Sequence, residues 1–410
     1  MKTYFFILSL FFATDSSATI WHIGKDKLYK KISPVLKLVS TGDTIMVYPG
    51  IYKEHTLVID KSITFIGIDY PVLDGEKLYE VVSVKSNNVL IEGFRIQHSG
   101  ISSMEDFAGI KVYNTHHVVI RNNILDDTFF GIYIQQGRNC LIEKNKLVSY
   151  AIEEQQSGNG IHCWKSDSLQ IIANQISGHR DGIYFEFVTH SIIWRNVSQK
   201  NMRYGLHFMF SNNDTYISNV FKNNGAGVAV MFSNHVTMIR NFFIENWGDA
   251  SYGLLLKEIS DSHIENNFFK GNTSAIFMEG ATRIEMQRNL FEGNGWGLKI
   301  QASCMDIILS ENNFINNTFD VGTNGSLVLN SFYNNYWDRY EGYDINKDNI
   351  GDIPYRPVSM YSMIIEKNPP AMILFRSFVT TLLDKAEKVL PSLTPENLID
   401  NLPLMKPFQL

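Results

Sequence analysis

A glycine, four residues of alternating character, and an asparagine fourteen positions after the glycine recur through the middle of this chain. The pairs are Gly109/Asn123, Gly131/Asn145, Gly160/Asn174, Gly182/Asn196, Gly205/Asn219, Gly227/Asn241 and Gly253/Asn267, then Ala275/Asn289 with alanine in the glycine place. Successive starts lie 22, 29, 22, 23, 22, 26 and 22 residues apart. A unit this short with β-type alternation cannot enclose a core alone, so the units must stack as coils.

Counted from each glycine, the first and third following residues are apolar: Ile110/Val112, Ile132/Ile134, Ile161/Cys163, Ile183/Phe185, Leu206/Phe208, Val228/Val230 and Leu254/Leu256. The second and fourth are mixed, as in His162/Trp164, Tyr184/Glu186, His207/Met209 and Ala229/Met231. Alternation with period two turns the first set inward and the second outward. Sixteen residues past the glycine stand Phe221, Phe243, Phe269 and Phe291, which predicts an aromatic ladder inside the rod. The asparagines fall where a corner is needed. Asparagine tolerates left-handed backbone, and stacked amides can bond along a ladder. These features predict an all-β chain folded as a right-handed parallel β-helix. The two longer spacings predict loops near 148–158 and 247–252, and loops that interrupt a solenoid often lie on its working face.

The expected organisation is a signal peptide at 1–18, an N-terminal cap with the first coils at 19–80, and the β-helix at 81–335. An acidic loop segment at 336–368 and an amphipathic helical tail at 369–410 complete it. Lys2, an apolar run at 4–13 and a small-residue stretch ending at Ala18 read as a secretory signal too short to span a bilayer. The expected location is therefore outside the cytosol. A helix is expected at 28–38. With 36 basic against 42 acidic residues, nothing proposes nucleic acid as a partner. Cys140, Cys163 and Cys304 form no zinc-type spacing, and Cys163 falls at an inward position.

Three places carry chemistry. On the outward stripe, His207, Met209 and Met231 could converge on one ion, with His162 and Glu186 on the two preceding coils as further donors. Imidazole with thioethers is a soft set suited to Cu(I). The same side chains suit a plain apolar docking patch, and the residues alone leave both readings open. Second, Asp344, Asn346, Asp348 and Asp352 place oxygen donors at loop positions 1, 3, 5 and 9, as a calcium loop does. Asn349 stands where an EF-hand loop has glycine, and Tyr355 where it has glutamate. Third, Pro369-Pro370 opens a helical pattern through Phe375, Phe378, Leu382, Leu383 and Leu390, closed by Pro391. Thr394 and Pro395 would start a second short helix. This tail either caps the rod or, with the segment around Met405, docks a membrane-protein partner. A carbohydrate-binding or polysaccharide-cleaving activity is the competing reading. Outward strand positions offer only Glu186 and Glu279, four coils apart, for the carboxylate pair that glycoside hydrolysis needs. Gly178-His179-Arg180-Asp181 is the one isolated string of catalytic type, and it reads equally as a turn.

Gly205-Leu206-His207-Phe208-Met209-Phe210-Ser211, the run Trp337–Asp344 leading into Gly351-Asp352-Ile353-Pro354-Tyr355-Arg356-Pro357, and the proline-punctuated tail with Pro403-Leu404-Met405-Lys406-Pro407 resemble the NosD family. Its members are periplasmic maturation proteins for nitrous-oxide reductase. The resemblance runs from about residue 19 to the end. It implies a non-enzymatic assembly factor held at the membrane through an ABC transporter permease and its ATPase. It also implies work with a copper chaperone and the reductase, copper as cargo at the His207/Met209/Met231 stripe, and the tail as the transporter dock.

Overall fold

The structure is a computed structural model that describes residues 18–102, 104–325, 329–389 and 398–409. Three strands per coil fall into three long parallel sheets that run the length of a rod. The first has 12 strands, from Leu57–Ile59 to Phe319–Thr323, and carries the glycine-led segments. The second has 14 strands, from Ile20–Ile23 to Ser331–Tyr333. The third has 13, from Ile51–Tyr52 to Tyr336–Trp337. Register is kept coil to coil, so Ile183, Leu206, Val228 and Leu254 are successive partners. Coil stacking at the β-sheet spacing places like residues above like.

The interior follows the alternation. Ile110, Ile132, Ile161, Ile183, Leu206, Val228 and Leu254 are all 0% exposed. Phe221, Phe243, Phe269, Phe291, Phe314 and Trp337 stack at 5.6, 4.5, 5.1, 4.5 and 4.3 Å between ring centroids. The glycine column has a steric cause. A Cβ at Gly131 would run into the Gly160 carbonyl, and one at Gly227 into that of Gly253.

The asparagine ladder runs further than the repeat suggests. The backbone N and Nδ2 of each asparagine donate to Oδ1 of the next, from Asn123 through Asn241 to Asn335. Its left-handed assignment needs correcting. The residue with positive φ is the one before each asparagine: Lys144 (53°), Ala173 (54°), Arg195 (56°) and Arg240 (53°). The asparagine itself turns its amide inward to satisfy buried backbone.

The N-terminal end is covered by helix α1, Ile32–Leu38, shorter than the predicted 28–38. Ile32, Val35 and Leu36 are buried against the first coils. The Glu54 carboxylate accepts from Ile32 N (2.7 Å) and Ser33 N (2.9 Å), supplying the negative cap that Lys31 cannot.

At the other end helix α2, Met360–Lys367, lies on the first sheet and buries Tyr361 and Ile365 with Trp296 and Phe319. The sequence reading placed no helix there. Ser359 caps α2 through its side chain, and Lys299 pairs with Glu366 at 2.7 Å. Pro369–Leu374 forms a 3-10 turn, Arg376 has φ +60°, and helix α3 follows at Phe378–Val389. The expected apolar run is thus broken into two pieces. Among the described residues no helix is long and apolar enough to cross a membrane. The segment 398–409 returns to the rod, where Asp400 and Leu404 pair with Phe332 and Tyr336. The signal-peptide run at 4–13 and the expected helix start at Thr394 lie outside the described residues.

Candidate functional site

The outer face of the first sheet presents two parallel columns. One runs Lys111, Tyr133, His162, Tyr184, His207, Ala229; the other runs Tyr113, Gln135, Trp164, Glu186, Met209, Met231. In the first column the rings are in contact along the rod. Tyr133–His162, His162–Tyr184 and Tyr184–His207 centroids lie 4.3, 4.9 and 4.9 Å apart. Bulky neighbours on successive coils shield one another, and the turn between the third and first sheets folds over them. The expectation that this column is solvent-exposed is therefore corrected: His207 is 6% exposed and Tyr133 6%. Burial lowers the His162 pKa to about 3, so that imidazole is neutral at physiological pH.

His207 meets a residue that the sequence reading left in a turn. Asp181, 0% exposed, lies just before Gly182, and its Oδ2 is 3.6 Å from His207 Nδ1. Asp181 Oδ1 accepts from Tyr204 N at 3.3 Å and lies 3.9 Å from Arg203 Nε. The Tyr204 ring contacts the His207 ring at 4.7 Å. Both nitrogens of His207, Asp181 Oδ2, His179 Nε2 and Arg180 Nε are buried without a hydrogen-bond partner among the described residues. One turn thus concentrates several unpaired buried polar atoms, which is uncommon in a folded chain. Sequence reasoning missed it because the contact joins a turn of one coil to a strand of the next.

In the second column Met209 and Met231 are direct register partners, both half-buried. Glu186 precedes Met209 in the column and Lys257 follows Met231. Lys257 is held by Glu279 at 3.4 Å. At the edge of the sheet beyond this column stand Phe187, Phe210 and Phe232, stacked at 5.2 and 5.1 Å and 44%, 40% and 42% exposed. Their φ values are +54°, +51° and +54°, a strained conformation for a bulky residue. Their spacing of one coil was a readable signal.

His207 engages Asp181 and Tyr204 on the glycine side of its strand, and Met209 stands two residues on toward the other end. The structure therefore pairs Met209 with Met231 in register and places His207 in the neighbouring column beside Asp181 and Tyr204. His162 is engaged elsewhere, its Nδ1 2.9 Å from Asn159 Nδ2. Among the described residues no three His, Cys, Asp or Glu side chains converge on one point.

In the acidic loop the carboxylates are turned onto the loop's own backbone. Asp344 accepts from Lys347 N (2.6 Å) and Asn349 N (2.9 Å), Asp348 from Ile350 N (2.8 Å), and Asp352 from Ile345 N (2.7 Å). Asn346 Nδ2 donates to Asp348 at 3.0 Å. Asn349, at the glycine position of the pattern, has φ +68°, so asparagine supplies the left-handed turn there. In the tail, Phe378 and Leu382 are 80% and 56% exposed, Phe375 is 38% exposed, and Leu383 packs inward on the α2 cluster. Met405 belongs to the end cap, its backbone N donating to Asn349 O at 3.0 Å. The tail residues read as one docking group therefore divide between an outward face and the rod's own closure.

The family model for periplasmic copper-binding protein (NosD) matches residues 146–350, half of the chain. A protein from Stutzerimonas stutzeri named "Probable ABC transporter binding protein NosD" is 27% identical over 344 residues, covering 79% of this chain and 78% of that one. One of the same name from Pseudomonas aeruginosa is 27% identical over 353 residues, covering 82% of each. Among solved structures, the A-module of the mannuronan C-5 epimerase AlgE6 from Azotobacter vinelandii has a TM-score of 0.51 at 15% identity, over 74% of this chain and 87% of that one. The catalytic unit of a GH87 α-1,3-glucanase from Streptomyces thermodiastaticus has a TM-score of 0.54 at 10% identity, over 73% and 61%. At these identities the likeness is one of fold.

Proposed function

The chain belongs to the NosD family, and from that premise we propose that it is a periplasmic copper-handling accessory of nitrous-oxide reductase assembly that works with an ABC transporter. The observation that carries this reading is the Met209–Met231 register pair on the outer face of the first sheet. Two thioethers one coil apart, about 4.8 Å along the rod, can share a soft cation such as Cu(I) while binding it weakly enough to release it. Glu186 is a poor ligand for such an ion but adds negative charge beside it. His207 lies two residues from Met209, about 7 Å along the strand. Copper is thus passed between two stations, a thioether pair and an imidazole. The exposed Phe187/Phe210/Phe232 stack beside the methionines is the landing patch for the copper donor. The outward face of α3, with Phe378 and Leu382, is the dock for the permease.

A hydrolytic role finds less support. Glu186 and Glu279 are four strands apart in the first sheet, about 19 Å, beyond the 5–9.5 Å that paired catalytic carboxylates require.

The test is competition for Cu(I) against a colorimetric chelator under reducing conditions. Wild type is expected to take up the ion, and Met209→Leu with Met231→Leu to lose most of that affinity while keeping its melting temperature. A double variant that binds as wild type does refutes the relay. Turnover of a polysaccharide by the purified rod would reverse the assignment.

A further inference from the structure

The two histidines of the inner column are held in opposite tautomers by their neighbours. His162 Nδ1 is 2.9 Å from Asn159 Nδ2, and Arg180 Nη2 is 3.4 Å from Asn159 Oδ1. The guanidinium has only protons to offer, so it fixes the amide with its oxygen toward Arg180 and its NH2 toward His162. The His162 Nδ1 lone pair is therefore used, and the ring proton sits on Nε2. His207 has the reverse arrangement. Its Nδ1 faces Asp181 Oδ2 at 3.6 Å, slightly beyond hydrogen-bond length, and neither atom has another partner among the described residues. A carboxylate offers only lone pairs. A lone pair on Nδ1 would oppose them, whereas an N–H is attracted. In the neutral ring Nδ1 of His207 therefore carries the proton, and Nε2 keeps its lone pair, buried and unpartnered.

We propose that Asp181 is a positioning residue that sets His207 in the Nδ1–H tautomer, making His207 Nε2, and not His162, the imidazole station for the soft cation passed from Met209 and Met231. This rests on the copper reading above. A carboxylate behind a ligating imidazole fixes the ring and raises the basicity of the free nitrogen. Tyr204 N and Arg203 hold Asp181 from its other side, so the carboxylate is itself oriented. The rings of Tyr184 and Tyr204 flank His207 at 4.9 and 4.7 Å. Because Nε2 is buried, a neighbouring side chain must move for an ion to reach it.

Two measurements decide the matter. Long-range 15N–1H correlation on the metal-free, histidine-labelled protein reads both tautomers directly. His207 should show a protonated Nδ1 and His162 a protonated Nε2, and Asp181→Asn should shift only the His207 pattern. A protonated Nε2 on wild-type His207 overturns the proposal without any variant having to fold. In the Cu(I) competition, Asp181→Asn should weaken binding about tenfold and His162→Ala should leave it within about twofold. If wild type takes up no Cu(I), the copper reading itself fails and the station falls with it. If wild type binds, the double methionine variant loses the ion and Asp181→Asn matches wild type, only the role given to Asp181 is wrong.

Discussion

Truncating one rung of the asparagine ladder, Asn241→Ala, should destabilise the rod far more than an ordinary polar-to-alanine change. Asn241 Oδ1 accepts from Asn219 N and Asn219 Nδ2, both at 3.0 Å. Its own Nδ2 donates to Tyr216 O and to Asn267 Oδ1, also at 3.0 Å. Alanine deletes all four bonds, leaves Asn219 N and a proton of Asn219 Nδ2 unpaired, and takes the amide donor from Tyr216 O, in a site that is 0% exposed. Each orphaned buried group costs roughly 1–3 kcal/mol, so two orphaned donors bring the loss to about 4 kcal/mol. The assay is urea unfolding followed by far-ultraviolet circular dichroism, compared at constant m-value. Asn223→Ala is the control. Asn223 is exposed and its side chain is bonded only to Glu245, so its loss should cost about 1 kcal/mol, most of it from placing alanine at φ +52°. Asn219→Ala with Asn241→Ala should fall short of the sum of the singles, because the two side chains share a bond and a backbone donor. Asn123→Ala with Asn241→Ala, far apart, should be additive. A loss below about 1 kcal/mol for Asn241→Ala, or strict additivity of the neighbouring pair, would refute the reasoning.

Two further outcomes can be checked. Burial raises the Asp214 pKa to about 8 from 3.8, against a partly compensating bond from Ser191 N. The folded chain thus holds a proton that the unfolded chain releases, so this contribution is present below about pH 4 and is lost as pH rises through about 8. Asp214→Asn should shrink the fall in unfolding free energy between pH 5 and pH 8 by about 3 kcal/mol, and an unchanged fall contradicts the assignment. Asp320, raised by burial to about 7, leaves a residual slope of the same sign in that variant. On the tail, Phe378→Ser with Leu382→Ser replaces exposed side chains and should leave the melting temperature unchanged. It should reduce co-purification with the transporter permease at least about tenfold, and full retention would assign those residues to no contact.

The coil was legible because its period is written in residues that have no substitute. Glycine leaves room for the next coil's carbonyl, asparagine both donates and accepts, and the inward positions must be apolar. A second ladder, Asn201, Asn224, Asn246, Asn272, Asn294 and Asn317, is spaced just as regularly and was overlooked. The left-handed corners were misplaced by one residue because Lys144, Arg195 and Arg240 carry no turn signature, and the stack imposes their backbone. Helix α2 escaped notice because a single amphipathic run of eight residues between Pro357 and Pro369 acquires meaning only when Trp296 and Phe319 are seen beneath it. The Asp181–His207 contact is invisible for a related reason. Alternation tells which side of a sheet a residue faces, but not that a turn folds across that side.

Every rung of the amide ladder hands its donors to the next coil, so the stack has a polarity, and something must receive the last pair. Asp400 does so, its Oδ2 taking Asn335 N, Asn335 Nδ2 and Trp337 Nε1, each at 3.0 Å. A carboxylate accepts and gives nothing onward. It therefore terminates the ladder: an asparagine set beyond it would be handed no amide proton, because one oxygen stands in place of an amide nitrogen.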